Sequence, residues 1–370
     1  MGVWTWSAEI GILFGVGLFA LVFFPIVAVQ YRLYGRFIGL RLLGAAAVSV
    51  YLTTLAAYTL VPLPTSTDKV CEPSIQLVPF HFVSDIARET AGDGVLGTLL
   101  SPATLQVVFN VVLFVPLGVI VRGFFSRGLG VTVAAGLAVS VLIEATQYTA
   151  LWGVYSCAYR LADVDDVMTN TLGALIGGLL GPVVLAWMPR ERALRAARGT
   201  PRPITVWRRW LGMAIDLALF MVIGGTLAVA YRVVLIAVRG DVPRAPDAFE
   251  VVLGSLVPAL LVFILPAVRP TGASLGQTAV WLTPHWSQPS SVVRRVLRAA
   301  SVGGLYGLLV CISRLTLPVS AAAELLANLL LVAAFVAVPL TRGRAGLSGL
   351  VARSSIADER AVSTATAGSP

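Results

Sequence analysis

The motifs NVVLFVPLGVIVR (residues 110–122), IEATQ (143–147), YRLADVDD (159–166) and NTLGALIGGLLG (170–181) set polar residues into and beside long apolar runs. Hydrocarbon offers a carboxylate or an amide no water to bond, so Asn110, Glu144, Gln147 and Asn170 are costly where they stand. Glu144 and Gln147 are three residues apart and share a helix face, about two turns before the expected end of their span near Leu151. Asn110 lies early in the preceding span and Asn170 early in the following one. If the three spans run up and down, all four residues fall at one membrane depth, beside the loop carrying Arg160, Asp163, Asp165 and Asp166. This predicts a polar pocket opening to one side, with Asn110, Glu144, Gln147, Arg160, Asp163, Asp166 and Asn170 as its ligand-binding set.

Plainer readings stand beside it. Asn110 and Asn170 suit interhelical hydrogen bonds, and the aspartates suit an N-cap cluster for the next span. Gly173, Gly177 and Gly181, four residues apart, form a small face for close helix packing. Glu144 is the hardest to dismiss, because a lone carboxylate below the interface needs a partner or a raised pKa, and Arg160 is the nearby cation the sequence offers.

Composition agrees with a membrane setting. Of 370 residues 57% are hydrophobic and 12% charged, with a mean hydropathy of +0.88, which excludes an ordinary soluble chain. The net charge of +9 is assigned to topology rather than to nucleic acid, because the arginines cluster in alternate loops, as the positive-inside bias requires. Lys69 is the only lysine among 27 basic residues, a bias that points to a high-GC bacterial genome. The first apolar run lacks the basic start and small-residue cleavage site of a secretory signal and is expected to be a retained helix. Cys71 and Cys157 both fall in outer loops, so either a disulfide or two unpaired thiols accounts for them.

The fold expected is an all-α polytopic bundle of about nine transmembrane helices in two domains. Residues 1–41 hold an extra N-terminal helix (about 10–29) and a basic linker, 42–188 a first membrane domain, 189–202 a basic cytoplasmic linker, 203–341 a second membrane domain, and 342–370 a disordered tail. The N-terminus is placed outside and the C-terminus in the cytoplasm. In the first outer loop, IQLVPFHF (75–82) is expected to fold back on the membrane face. His81 and Asp85 share i,i+4 spacing there; His81 is read as an interfacial polar residue rather than a metal ligand, since His285, the other histidine, falls on the opposite side. In the second domain Arg209 and Asp216 sit about two turns apart on one helix face, and Asp216 is a second costly intramembrane acid.

The four opening motifs, in this order, resemble the VanZ-like family, named for an accessory protein of glycopeptide-antibiotic resistance operons. The resemblance covers about Tyr51 to Met188, with LVPF (77–80) fitting the short motif ahead of the Asn helix. The family's polar signature falls on Asn110, Pro116, Gly118, Glu144, Gln147, Arg160, Asp163, Asp166, Asn170 and Gly173, and implies an envelope protein acting on a lipid-linked or lipid-tailed molecule. Residues from about Pro203 to Leu340 resemble the RDD family. Arg209 and Asp216 match its first arginine and aspartate, and TGASLGQ (271–277) is similar to its glycine-containing inside loop. Thr271 stands where an acidic residue is common, and the second aspartate has no assigned position.

Three functions remain open at this point. The first is an envelope protein whose outward pocket binds a lipid-linked envelope precursor or a lipoglycopeptide, linked to teicoplanin-type tolerance. The second is an intramembrane enzyme with Glu144 as general base beside Asp163 or Asp166. The third is an ion- or proton-coupled transporter using Glu144 and Asp216. No cofactor or metal is expected, membrane lipids are the expected partners, and the oligomeric state is left open.

Overall fold

The structure, a computed structural model, describes residues 3–61, 75–155, 161–240 and 245–362. Among these residues nine helices are long and apolar enough to cross a membrane. They are α1 (Val3–Tyr34), α2 (Gly39–Leu60), α3 (Pro102–Phe124), α4 (Leu129–Tyr148), α5 (Val164–Val184), α6 (Val206–Arg239), α7 (Ala248–Val268), α8 (Val292–Arg314) and α9 (Ser320–Leu340). The protein is therefore an all-α polytopic membrane bundle. Cys71, Cys157 and Arg160 lie outside the described residues, and with them the disulfide question and the expected Arg160 partner of Glu144.

The chain divides into two compact units, residues 1–23 with 38–191, and residues 24–37 with 192–370. The break inside α1 differs from the expected boundary at residue 41. Helix α1 also continues past its apolar centre, where Trp281 Nε1 donates to the Tyr31 carbonyl (2.7 Å) and the Arg32 guanidinium lies 4.0 Å from the Trp281 ring centre, so the last turns of α1 belong to the second unit.

In the first unit small residues set the packing. Gly173 and Gly177 of α5 face the α3 backbone at Val111 and Val115, and Gly118 of α3 faces α5 at Ala174 and Gly178. Helix α4 meets the same ridge through Gly136 against Ala174. Around this contact Leu55, Phe114, Leu117 and Ala174 form a buried core, flanked by Tyr51, whose hydroxyl donates to the Leu113 carbonyl (2.9 Å). Gly11 and Gly15 of α1 pack in the same way on Val50, Thr53 and Thr54 of α2, and the Thr53 hydroxyl donates to the Gly11 carbonyl (2.7 Å).

Helix starts follow local chemistry. Ser101 caps α3 ahead of Pro102, Asp163 caps α5, Thr205 caps α6 and Asp247 caps α7. Pro116 of α3 is followed by a π-helical stretch at Ile120–Phe124, and Pro258 of α7 by another at Leu260–Ile264. Helix α4 stops at Tyr148, short of the expected Leu151, because the chain turns through left-handed Ala150, Leu151 and Trp152 (φ 53°, 54° and 59°). That leaves Glu144 and Gln147 in its final turns.

The stretch 75–82 forms β1 (Ile75–Gln76), paired in parallel with β2 (Ala162–Asp163), and leads into a short helix, His81–Glu89. Leu77, Val78 and Phe80 are exposed. The buried Asp165 carboxylate accepts the backbone N–H groups of Phe80 (2.7 Å) and Phe82 (2.9 Å), so the aspartate loop anchors the hydrophobic stretch. His81 Nδ1 lies 3.0 Å from the Asp85 carboxylate. Asp165→Ala removes both charge-assisted acceptors and is expected to destabilise this segment by about 2–4 kcal/mol. Faster amide exchange at residues 75–90, with α3 to α5 unchanged, is the expected readout; wild-type exchange there would contradict the anchoring role.

The second unit packs α6 to α9 with two strands, β3 (Leu282–His285) and β4 (Ser355–Asp358), paired antiparallel. This corrects the expected disordered tail: among residues 342–362 the chain forms a helix at Gly346–Ala352 and then β4. The physical reason is an alternation hidden in a polar composition, since Ser354, Ile356, Asp358 and Arg360 are all buried. Asp358 takes ion pairs from Arg208 (2.8 Å) and Arg360 (2.7 Å), together with the Arg202 backbone N–H (3.1 Å). Residues 191–199 of the expected linker are helical as well, and the Arg198 carbonyl accepts from Arg360 (2.6 Å).

Candidate functional site

A cavity of ≈ 960 Å³ opens in the first unit at the end where α2 and α4 finish and α3 and α5 begin. Asn110 of α3, Glu144 and Gln147 of α4, and Asp166 and Asn170 of α5 line it, with an apolar wall that includes Leu105, Phe109 and Val112. The up-and-down order of the helices is what brings these residues together, since each lies within two or three turns of the same end.

Their hydrogen bonds tie one helix to the next. Asn110 Nδ2 donates to Asp166 Oδ1 (2.6 Å), joining α3 to α5. Asn170 Nδ2 donates to the Ser140 hydroxyl (2.9 Å), joining α5 to α4, while Asn170 Oδ1 is buried without a hydrogen-bond partner among the described residues. Gln147 Nε2 donates to the Thr59 carbonyl at the end of α2 (2.6 Å). Glu144 Oε2 accepts the Asp163 backbone N–H (3.1 Å). Glu144 is 8% exposed, so its carboxylate faces the cavity from a largely water-poor wall.

Five of the seven residues expected in the ligand-binding set line this cavity, and Arg160 lies outside the described residues. Asp163 does a different job. Its carboxylate caps α5 by accepting the Asp165 N–H (2.8 Å) and takes a further bond from Gln76 Nε2 (3.3 Å). Burial pushes the Asp163 carboxyl above its ordinary pKa, against the pull of those two donors. Gly173 and Gly177 pack against α3, and Gly181 sits beside Val119 and Arg122.

Ser140 and Thr59 also hold site residues, and neither is among the residues expected from the sequence. Ser140 had a signal: Thr132, Gly136, Ser140 and Glu144 recur every four residues and are all buried on one face of α4. Thr59 contributes its backbone carbonyl, which no side-chain pattern announces.

In the second unit Arg209 and Asp216 line one cavity, yet they form no ion pair with each other. Seven residues place them roughly 10 Å apart along the helix. Arg209 donates to the carbonyls of Arg344 (3.2 Å) and Ala345 (3.4 Å), and Asp216 accepts from the Ser274 hydroxyl and the Gly276 N–H, both at 2.6 Å. The TGASLGQ turn is thus held to α6 by the Asp216 carboxylate. Gly276 rests so close to the Gly212 carbonyl that a side chain there would collide with it.

Nine apolar helices among the described residues, with polar side chains gathered at one end of the first unit around a cavity, define a multi-pass membrane protein. Residues 48–185 match the VanZ/LLP1 family model, so this part of the chain is similar to VanZ-like domains. No curated protein and no solved structure matches the chain.

Proposed function

We propose that the VanZ-like domain binds the polar head of a lipid-linked or lipid-tailed molecule, with the tail left in the bilayer, and that this binding underlies tolerance to teicoplanin-type glycopeptides in a bacterial cell membrane. The observation that carries the reading is the cavity itself. At ≈ 960 Å³ it lies within the range of small-molecule sites, with amides and carboxylates at one end and an apolar wall beside them. That volume suits a sugar-sized head and the start of its tail rather than a whole glycopeptide. The alternating arginine clusters support placing the cavity on the outer side, with the N-terminus outside and the C-terminus in the cytoplasm.

For the second unit we infer an RDD-like domain. Arg209 and Asp216 support this, as does the direct bonding of Asp216 to the TGASLGQ turn.

The test is susceptibility to a lipid-tailed glycopeptide in a sensitive bacterial host expressing wild type or Glu144→Gln at matched membrane levels. Wild type is expected to protect, and Glu144→Gln to lose at least about tenfold of that protection, as expected when a buried charged partner of a polar ligand is removed. Absence of protection by wild type sinks the antibiotic reading. Equal protection by the variant sinks the role of Glu144.

A further inference from the structure

The amphipathic start of α8 carries three arginines with three different fates. Arg294 is exposed, and Arg295 donates to the carbonyls of Ala267 and Val268 at the end of α7. Arg298 instead turns inward and is 4% exposed, facing the same cavity as Arg209 of α6, which is 3% exposed. Nε and Nη2 of Arg298 and Nη1 of Arg209 are buried with no hydrogen-bond partner among the described residues. Unpaired guanidinium N–H groups in a buried place are costly, and persist where something else satisfies them.

No carboxylate of the described residues fills that role. Asp216 is the one acid lining the cavity, and its two oxygens are engaged by Ser274 and Gly276. Neither arginine is ion-paired with it. Two guanidiniums against one carboxylate leave a net positive charge and at least three open donors around a space of ≈ 120 Å³. A single water needs only about 10–15 Å³ of such space, so the cavity suits a polyatomic group. The remaining wall is largely apolar, with Leu217, Phe263, Val302 and Leu330.

We propose that this cavity is a binding site for a phosphate group, held between Arg209 and Arg298. Guanidiniums reaching in from two helices suit an anion whose oxygens point out of a single plane, which favours phosphate over a carboxylate. The apolar wall suits the phosphate of a lipid, although free phosphate shares the same chemistry.

The experiment measures thermal unfolding of the purified full chain in detergent with three additives: dioctanoyl phosphatidate, inorganic phosphate, and dioctanoylglycerol as a phosphate-free control. Wild type is expected to gain stability with phosphatidate and not with dioctanoylglycerol. A gain with inorganic phosphate as well means that the anion suffices without a tail. Arg298→Met is expected to unfold at or above the wild-type temperature without additive, because it removes an unpaired buried charge, and to lose the phosphate-dependent gain. Arg298→Lys, which keeps the charge but not the fork, is expected to bind at least about tenfold more weakly. The proposal is overturned by no gain with either phosphate compound, by an equal gain with dioctanoylglycerol, or by a gain that survives in Arg298→Met. It also falls if Arg298→Met fails to fold without additive, since Arg298 is then a structural strut.

Discussion

Gly177→Val is expected to abolish accumulation of folded protein, the largest single-residue effect in the first unit. Gly177 lies against the Val115 carbonyl and the Gly118 Cα of α3, so an added side chain meets backbone rather than a mobile group. Overpacking a well-filled contact costs about 1–3 kcal/mol where side chains can yield. Here α3 and α5 must move apart, which also pulls Asn110 from Asp166 and opens the shared core at Phe114 and Ala174. The expected loss is therefore about 3 kcal/mol or more, near the upper end for point substitutions. Fluorescence-detected size exclusion of detergent extracts checks it: a monodisperse wild-type peak is expected to be strongly reduced already in Gly177→Ala, whose Cβ meets the Val115 carbonyl, and to collapse in Gly177→Val. Equal peaks for Val and wild type would mean that the α3–α5 approach is not needed.

The second large effect belongs to Asp358. Its carboxylate holds two buried arginines at once, Arg208 and Arg360, and Arg208 in turn donates to the carbonyls of Val280 and Trp281 beside β3. Asp358→Asn removes the carboxylate charge from both of these pairs, and breaking a buried pair in this way costs about 3–5 kcal/mol. The same contacts set a pH dependence. Although burial alone pushes the Asp358 carboxyl up, the bonds from Arg360, the Arg202 N–H and Arg208 hold it well below its ordinary value. A carboxyl with a lowered folded pKa contributes its full stability above the unfolded value of about 3.9 and loses it as pH falls toward the folded one. Wild-type unfolding temperature is therefore expected to drop below about pH 4, with a shallower drop in Asp358→Asn. Parallel curves for the two proteins would remove Asp358 as the source.

Which parts of this fold a sequence reveals depends on how the signal is spaced. The nine spans are legible because each is a continuous apolar run, and Asn110, Glu144, Gln147 and Asn170 stand out because hydrocarbon makes them expensive. Their convergence follows from the alternation of helix direction along α3, α4 and α5. An N-cap and a ligand carboxylate look alike before the backbone is known, so spacing alone does not separate Asp163, which caps α5, from the residues that line the cavity. The spacing of Asp165 suits a capping group, whereas its oxygens meet backbone N–H groups some 80 residues earlier, a pairing that carries no local pattern. The tail from Ser354 on looks disordered because Ala, Ser and Thr are abundant in it, and the alternation that buries Ile356, Asp358 and Arg360 is visible only once β3 is known as the partner of β4. Arg298 was hidden among topology-setting arginines, and burial alone separates it from Arg294 and Arg295.

The proposed function places the head of a lipid-tailed molecule in the cavity of the VanZ-like region. Equilibrium binding of a fluorescent teicoplanin-type glycopeptide to the full chain in phosphatidylcholine nanodiscs tests it most directly, with Glu144→Gln and Arg298→Met measured alongside. Saturable binding by wild type, unchanged binding by Arg298→Met and at least about tenfold weaker binding by Glu144→Gln are expected. Absence of saturable binding by wild type, or equal binding by Glu144→Gln, would contradict it.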